Sequence, residues 1–287
     1  MKILTVFGEK IKLYWPLTKS MQTGLLLSTG LAGFMTARLP VMHWYAFIGL
    51  VISLYLAIAG STILNMWFDR DIDARMTRTC TRPLASGLIK PNQVLRIGLT
   101  LAVIGIGLAV VMNPSYGLVV FAGLFFDVVV YTIWLKRRSA WSIVFGGISG
   151  AMPILAGRLL GTGHLDRVGI LLAFAVVFWI PTHILTFAMR NYQDYQSIGI
   201  PSFASVYGFK LTRTIIAISS LVAALSIATA GIMIGIQMGF LRVLAVMSAG
   251  LLILTFSSII HPSDRINFGL FKYASVYMLT AMVLLAV

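Results

Sequence analysis

Apolar residues run in long unbroken stretches along this chain, and polar residues gather in short segments between them. The stretches fall at about 20–37, 45–68, 96–112, 116–135, 141–160, 168–189, 214–236, 240–260 and 267–287. Each approaches the ~20 residues a helix needs to cross hydrocarbon. Continuous rather than alternating apolarity predicts helices and disfavours a membrane β-barrel. Asn113-Pro114-Ser115 is a turn signal that divides the third stretch from the fourth. No tandem repeat or low-complexity tract interrupts the series. The expected fold is all-α: nine transmembrane helices bundled around a central cavity, forming one domain over 1–287, with a polar cap on the cytoplasmic side.

Composition sharpens this picture. Hydrophobic residues make up 59% of the chain and charged residues 10%, against about 25% charged in soluble domains. The N-terminus lacks the compact apolar core of a cleavable signal peptide, because Lys10, Lys12 and Lys19 are interspersed with Tyr14, Trp15 and Pro16. It reads as an interfacial helix leading into the first span. The formal charge is +14, and its placement decides its meaning. With nine spans, eighteen of the 22 lysines and arginines fall on the side of the N-terminus, leaving Arg38, Arg158, Arg167 and Arg242 on the other. That asymmetry predicts a plasma-membrane protein with a cytoplasmic N-terminus. It also removes the nucleic-acid reading, since no base-stacking motif accompanies the basic residues. The single Cys80 excludes an intramolecular disulfide and a multi-thiolate metal site within one chain.

Topology does not explain the acids. Three of only eight acidic residues, Asp69, Asp71 and Asp73, lie within five positions at the end of the second apolar run. Asn65, Asp69 and Asp73 are spaced i, i+4, i+8 and share one helical face, while Asp71 lies about 200° away. Acids at the edge of a span usually face a cavity or a partner. One reading pairs Asp69 and Asp73 with Arg70, Arg75 or Arg78 in an exposed loop. The other is an all-oxygen Mg2+ site, since Mg2+ is typically held by one or two carboxylates together with substrate phosphates. Arg75, Arg78 and Arg82 then supply planar forks for phosphate oxygens.

These residues carry a resemblance. Asn65-x-x-x-Asp69-Arg70-Asp71-x-Asp73, followed by Arg78-Thr79-x-x-Arg82-Pro83-Leu84-x-x-Gly87, is similar to the first signature of the UbiA superfamily of intramembrane prenyltransferases. Tyr131-Thr132-Ile133-Trp134-Leu135-Lys136-Arg137-Arg138 with Gly146-Gly147-x-x-Gly150-Ala151-x-Pro153 resembles the fourth and fifth spans of its protohaem-farnesylating branch. Trp179-x-Pro181-x-His183, Asp194-Tyr195 and Gly199-Ile200-Pro201 resemble the sixth span and the loop after it. The similarity covers most of 20–205 and fades in the last three spans. Where many members carry a second aspartate-rich motif, this chain has Asn191, Asp194 and Ile198, so one carboxylate remains.

The resemblance implies transfer of an isoprenyl group from a polyprenyl diphosphate, farnesyl diphosphate being favoured, to a lipophilic acceptor, haem b being favoured. It implies Mg2+ at Asn65, Asp69 and Asp73 with Asp194 opposite, and Lys136 as a catalytic cation. Lys19, Arg75, Arg78, Arg82, Arg137, Tyr131, Asn191 and Asp127 would line the donor site or cavity. Phe68, Phe125, Phe126, Tyr131, Trp134 and Trp179 are candidate shields for an allyl cation. His183 reads either as a packed polar residue bonded to a backbone carbonyl that Pro181 frees, or as an acceptor group, either a haem iron ligand or an acid/base group near the acceptor. His43, His164 and His261 fall at span boundaries. The glycines at 146, 147 and 150 read as helix packing. Three alternatives remain from the residues alone: prenyl transfer to a quinone precursor or archaeal glycerolipid, transport of an anionic solute, and a haem-binding assembly factor.

Overall fold

The structure, a computed structural model, describes residues 12–38 and 43–287. The basic positions Lys2 and Lys10 lie outside the described residues. A short 3₁₀ turn, Trp15–Thr18, precedes α1 (Ser20–Met35). Next come α2 (Trp44–Phe68), the short α3 (Arg70–Arg75) and α4 (Pro91–Met112). Helix α5 (Pro114–Leu124) continues directly into a π-helix, Phe125–Leu135. The rest are α6 (Ser142–Thr162), α7 (Arg167–Arg190), the short α8 (Tyr192–Ser197), α9 (Phe203–Ile234), α10 (Met238–Ile260) and α11 (Asp264–Ala286).

The boundaries follow local chemistry. The Asn113 side chain accepts from the amides of Ser115 and Tyr116 at 2.9 and 3.0 Å, and Pro114 takes the first helical position, so the predicted turn becomes the N-cap of α5. Asp166 caps α7 through the Gly169 amide at 2.8 Å and is held by Arg158 of α6 at 2.7 Å. Inside α9, Gly208 adopts φ 80°, which breaks the helix between its amphipathic start and its apolar body.

Eight helical segments are long and apolar enough to cross a membrane, with Pro114–Leu135 counted as one. The expected first span is present as α1 but has 16 residues, about 24 Å at 1.5 Å per residue, which falls short of a ~30 Å hydrocarbon core. The described residues therefore give eight spanning segments plus this shorter helix, rather than nine equal spans. Helices α2, α4, α5, α6, α7, α9, α10 and α11 each pack on the next, and α11 closes on α1. Large apolar side chains such as Val103, Val111, Leu118, Val246 and Ile253 are exposed on the outside. Apolar exposure on that scale suits lipid rather than water.

Helices α1 and α6 touch backbone to backbone. A Cβ on Gly157 would lie 1.9 Å from the Gly30 carbonyl oxygen, so only a residue without a side chain fits. Gly157→Ala is expected to cost about 3 kcal/mol or more by forcing the pair apart, measurable as a lower Tm in detergent. An unchanged Tm would mean that the two helices do not cross this closely.

Candidate active site

Ser61, Asn65, Asp69 and Asp73 recur every fourth residue through the end of α2 into α3, and all four are buried. The chain bends at Asp69 (φ −89°, ψ 2°). Even so, the Asp69 amide donates to the Asn65 carbonyl at 3.0 Å and the Asp73 amide to the Asp69 carbonyl at 2.8 Å, so the i, i+4 register survives the bend. Asp71 points the other way. It is exposed and paired with Arg137 at 2.6 and 2.8 Å, and that guanidinium holds its carboxyl below the usual carboxylate range.

Each side chain of the stripe meets a partner. The Ser61 hydroxyl donates to Asp127 Oδ2 at 2.6 Å, and Asn65 Nδ2 donates to Thr132 Oγ1 at 2.7 Å. Lys136 Nζ pairs with Asp69 Oδ2, and Arg82 donates to Asp73 Oδ2 at 2.7 Å. Three of these partners, at 127, 132 and 136, come from the fourth apolar run and the residue just after it, where the apolar pattern predicts one α-helix. In an α-helix, positions 127 and 136 would face opposite ways, since nine residues at 3.6 per turn make two and a half turns. The structure winds 125–135 as a π-helix instead. Closing bonds five residues apart puts between four and five residues in each turn, so nine residues make about two turns. The Lys136 amide reaches back to the Tyr131 carbonyl at 2.8 Å, and the Thr132 hydroxyl bonds the Asp127 carbonyl at 2.7 Å. The wider winding aligns three side chains with a facing α-helical stripe.

The remaining candidates divide. Lys19 sits in a left-handed conformation (φ 43°, ψ 57°), which costs a residue with a Cβ about 1 kcal/mol. Its Nζ donates to Asn65 Oδ1 at 3.3 Å. Tyr131 lies with its ring 5.6 Å from Lys136 Nζ and is backed by Gly146, where a Cβ would come within 3.0 Å of the ring. Arg78 lies over the Phe187 ring at 5.2 Å. Arg75 and Arg137, grouped with the phosphate site by sequence adjacency, are instead placed on the exposed Asp71 face. Arg137 and Asp71 border a groove of about 580 Å³ that also touches Trp67, Phe68 and Ile133.

Asn191 ends α7, donating to the Phe187 carbonyl at 2.9 Å. Asp194 is half-buried on α8 and makes no side-chain bond to Asp69 or Asp73. Its loop is nonetheless seated over α3, because Tyr195, Ile198 and Ile200 pack on Ile72 and Met76. His183 is stacked between Trp179 (5.1 Å) and Phe271 (4.6 Å), and its Nδ1 meets the Ser275 hydroxyl at 3.1 Å rather than a carbonyl freed by Pro181. Of the proposed cation shields, Trp134 and Phe125 are exposed on the outside of the bundle. His43 and His261 flank helix ends, and His164 lies in the loop before α7. Ser61 and Thr132 were not singled out from sequence. Their partners lie 66 and 67 residues away, and no local pattern announces such a pairing.

Among the described residues, no group of three or more His, Cys, Asp or Glu side chains converges. Beside Asp69 and Asp73, the same stripe offers the Asn65 amide oxygen, which accepts from Lys19. Asp69 Oδ1 is buried without a hydrogen-bond partner, a state that, among the described residues, it shares only with the Trp67 indole nitrogen. A buried carboxylate oxygen left unbonded is costly, and an all-oxygen set with one orphan suits a hard divalent cation.

Acids and cations thus converge at one end of a helical bundle with eight segments long and apolar enough to cross a membrane. The sequence pattern of the UbiA prenyltransferase family matches residues 26–276, and the chain belongs to that family. It is an intramembrane prenyltransferase. A protoheme IX farnesyltransferase of Archaeoglobus fulgidus is 44% identical over 202 residues, covering 70% of this chain and 71% of that one. Another, from Desulforudis audaxviator, is 35% identical over 281 residues, 95% and 86% respectively. In fold, the chain is similar to a structure described as digeranylgeranylglyceryl phosphate synthase (TM-score 0.82, 16% identity, 97% and 98% covered). It is also similar to a UbiA homologue from Archaeoglobus fulgidus bound to GPP and Mg2+ (TM-score 0.62, 15% identity, 96% and 99% covered).

Proposed function

We propose that this protein transfers a farnesyl group from farnesyl diphosphate to a vinyl group of haem b, with Mg2+, giving haem O. The observation that carries the metal-assisted reading is the buried, unbonded Asp69 oxygen beside Asp73 and Asn65. The acceptor reading is supported by relatives at 35–44% identity that are described as protoheme IX farnesyltransferases. The glycerolipid alternative has only fold similarity at 16% identity behind it. We further propose a single domain over 1–287 in the plasma membrane, with α1 as a ninth, short span and the N-terminus in the cytoplasm.

Mg2+, when bound, would serve as Lewis acid and template for the diphosphate, held by Asp69, Asp73 and Asn65, with Asp194 closing from the α8 loop. The residues of the chain do the rest. Lys19, Arg82 and Lys136 set three cations against two carboxylates, which favours an incoming anion. The ammonium on Asp69 and the guanidinium on Asp73 are the groups a diphosphate would recruit as negative charge gathers on the leaving group. Arg78 adds a further fork. The Tyr131 ring lies beneath Lys136 and offers a π face to a developing allyl cation. His183 keeps Nδ1 on Ser275, which orients the ring and leaves Nε2 for the acceptor, including its iron.

The test is mass spectrometry of products from purified protein given a panel of prenyl diphosphates and acceptors, with and without Mg2+. Farnesylated, hydrated haem formed only with Mg2+ is expected. Product from an aromatic acid or a glycerol phosphate, with none from haem, would replace the acceptor assignment.

A further inference from the structure

Asp127 is the one acid in the interior of a described span that the donor chemistry leaves unused. It sits at the Ser61 level, eight residues along α2 from Asp69, or about 12 Å at 1.5 Å per residue. That is far outside the ~2.1 Å reach of a Mg2+ ligand shell centred at Asp69. Charged groups of Lys19, Lys136 and Asp69 face it from α1, the π-helix end and α2. Its backbone is fixed by the Thr132 hydroxyl on its carbonyl, and its Oδ2 by the Ser61 hydroxyl at 2.6 Å. Among the described residues nothing donates to Oδ1.

Two other acids, each paired with an arginine, are finished differently. Asp71 has both oxygens on Arg137, and Asp166 has both oxygens on Arg158, with the Gly169 amide added. An acid kept inside a span with one oxygen uncommitted is a costly arrangement for packing alone. It is the arrangement of a group that accepts a proton.

Resting on the haem-vinyl reading above, we infer that Asp127 is the base for the water that completes the product. The bond that breaks joins prenyl C1 to the diphosphate at the Asp69 level. The carbons that react therefore hang below it, between the Asp69 and Ser61 levels. The C1–O pair leaves with the diphosphate, and the vinyl π pair forms the new C–C bond to C1. The cation is left on the vinyl carbon next to the porphyrin ring. A water lone pair then forms the C–O bond to that carbon, while one O–H bond of the same water breaks and its proton passes to Asp127 Oδ1. The carboxylic acid then gives that proton to a further water molecule and so to solvent, which resets the site. Ser61 anchors the other oxygen and so leaves Oδ1 free for the water.

The readout is the ratio of hydrated product to released diphosphate, measured with farnesyl diphosphate and haem b in water enriched in oxygen-18. In the wild type this ratio is expected near one, with the label in the alcohol. In Asp127→Asn, whose amide oxygen still accepts from Ser61 and so preserves the fold, the ratio falls by about 100-fold or more. Products of proton loss, lacking the elements of water, take the place of the alcohol. Asp127→Glu restores the carboxylate and recovers most of the ratio. An unchanged ratio in Asp127→Asn, or an amide variant that releases no diphosphate at all, overturns the inference. Wild-type protein that makes no hydrated haem product refutes the acceptor reading itself and this inference with it, and that failure is visible before any variant is made.

Discussion

Asp69→Asn is expected to lower prenyl transfer by about 10³-fold or more while leaving the protein folded. The substitution keeps volume and keeps an acceptor for Lys136, so the stripe on α2 still packs against the π-helix. What it removes is one negative charge and the unbonded oxygen Oδ1, the atom in this site with no other employment. Diphosphate release reports the loss. Circular dichroism and size-exclusion in detergent report the retained fold. Turnover near wild type would dismiss Asp69 as a metal ligand.

Lys136→Met carries the second large effect, and it acts on both stability and rate. Lys136 is 18% exposed and Asp69 5%, so the pair is shielded from water. Removing one member of such a pair leaves a buried charge uncompensated, at a cost of about 3–5 kcal/mol. It also removes a cation facing the leaving group, worth about 10²-fold in rate. The double variant Lys136→Met with Asp69→Asn separates the two effects. Stability should return because no lone charge remains, while turnover should stay lost. A double variant as unstable as Lys136→Met alone would mean that the ammonium packs against something other than Asp69.

Much of the site was legible because α-helical geometry is constant. Asn65, Asp69 and Asp73 had to share a face, and Asp71 had to leave it, whatever surrounds them. Adjacency in sequence was a poorer guide. Arg137 is next to Lys136 yet serves Asp71, because the helix ends there and the two side chains diverge. Arg75 lies two residues from Asp73 but four from Asp71, and so shares the Asp71 face of α3. The π winding could not be read from Phe125–Leu135, because so few polar positions, chiefly Asp127 and Thr132, interrupt the apolar run that they do not fix a helical period. It shows only against α2, whose partner side chains lie some 66 residues earlier in the chain. The fold class was plain from the apolar runs. Span length was not, and α1 proved shorter than its apolar stretch because the chain turns at Thr36–Arg38.

Winding and charge placement are geared together in this protein. Rewinding any part of 125–135 to the tighter form would act as a screw, turning Lys136 away from Asp69 while lengthening the segment toward the membrane surface. A single-residue deletion or insertion there should therefore be more damaging than most point substitutions on the same helix. For the same reason, the spacing between Asp127 and Lys136 ties the depth at which a carbon skeleton reacts to the height at which its phosphates are gripped.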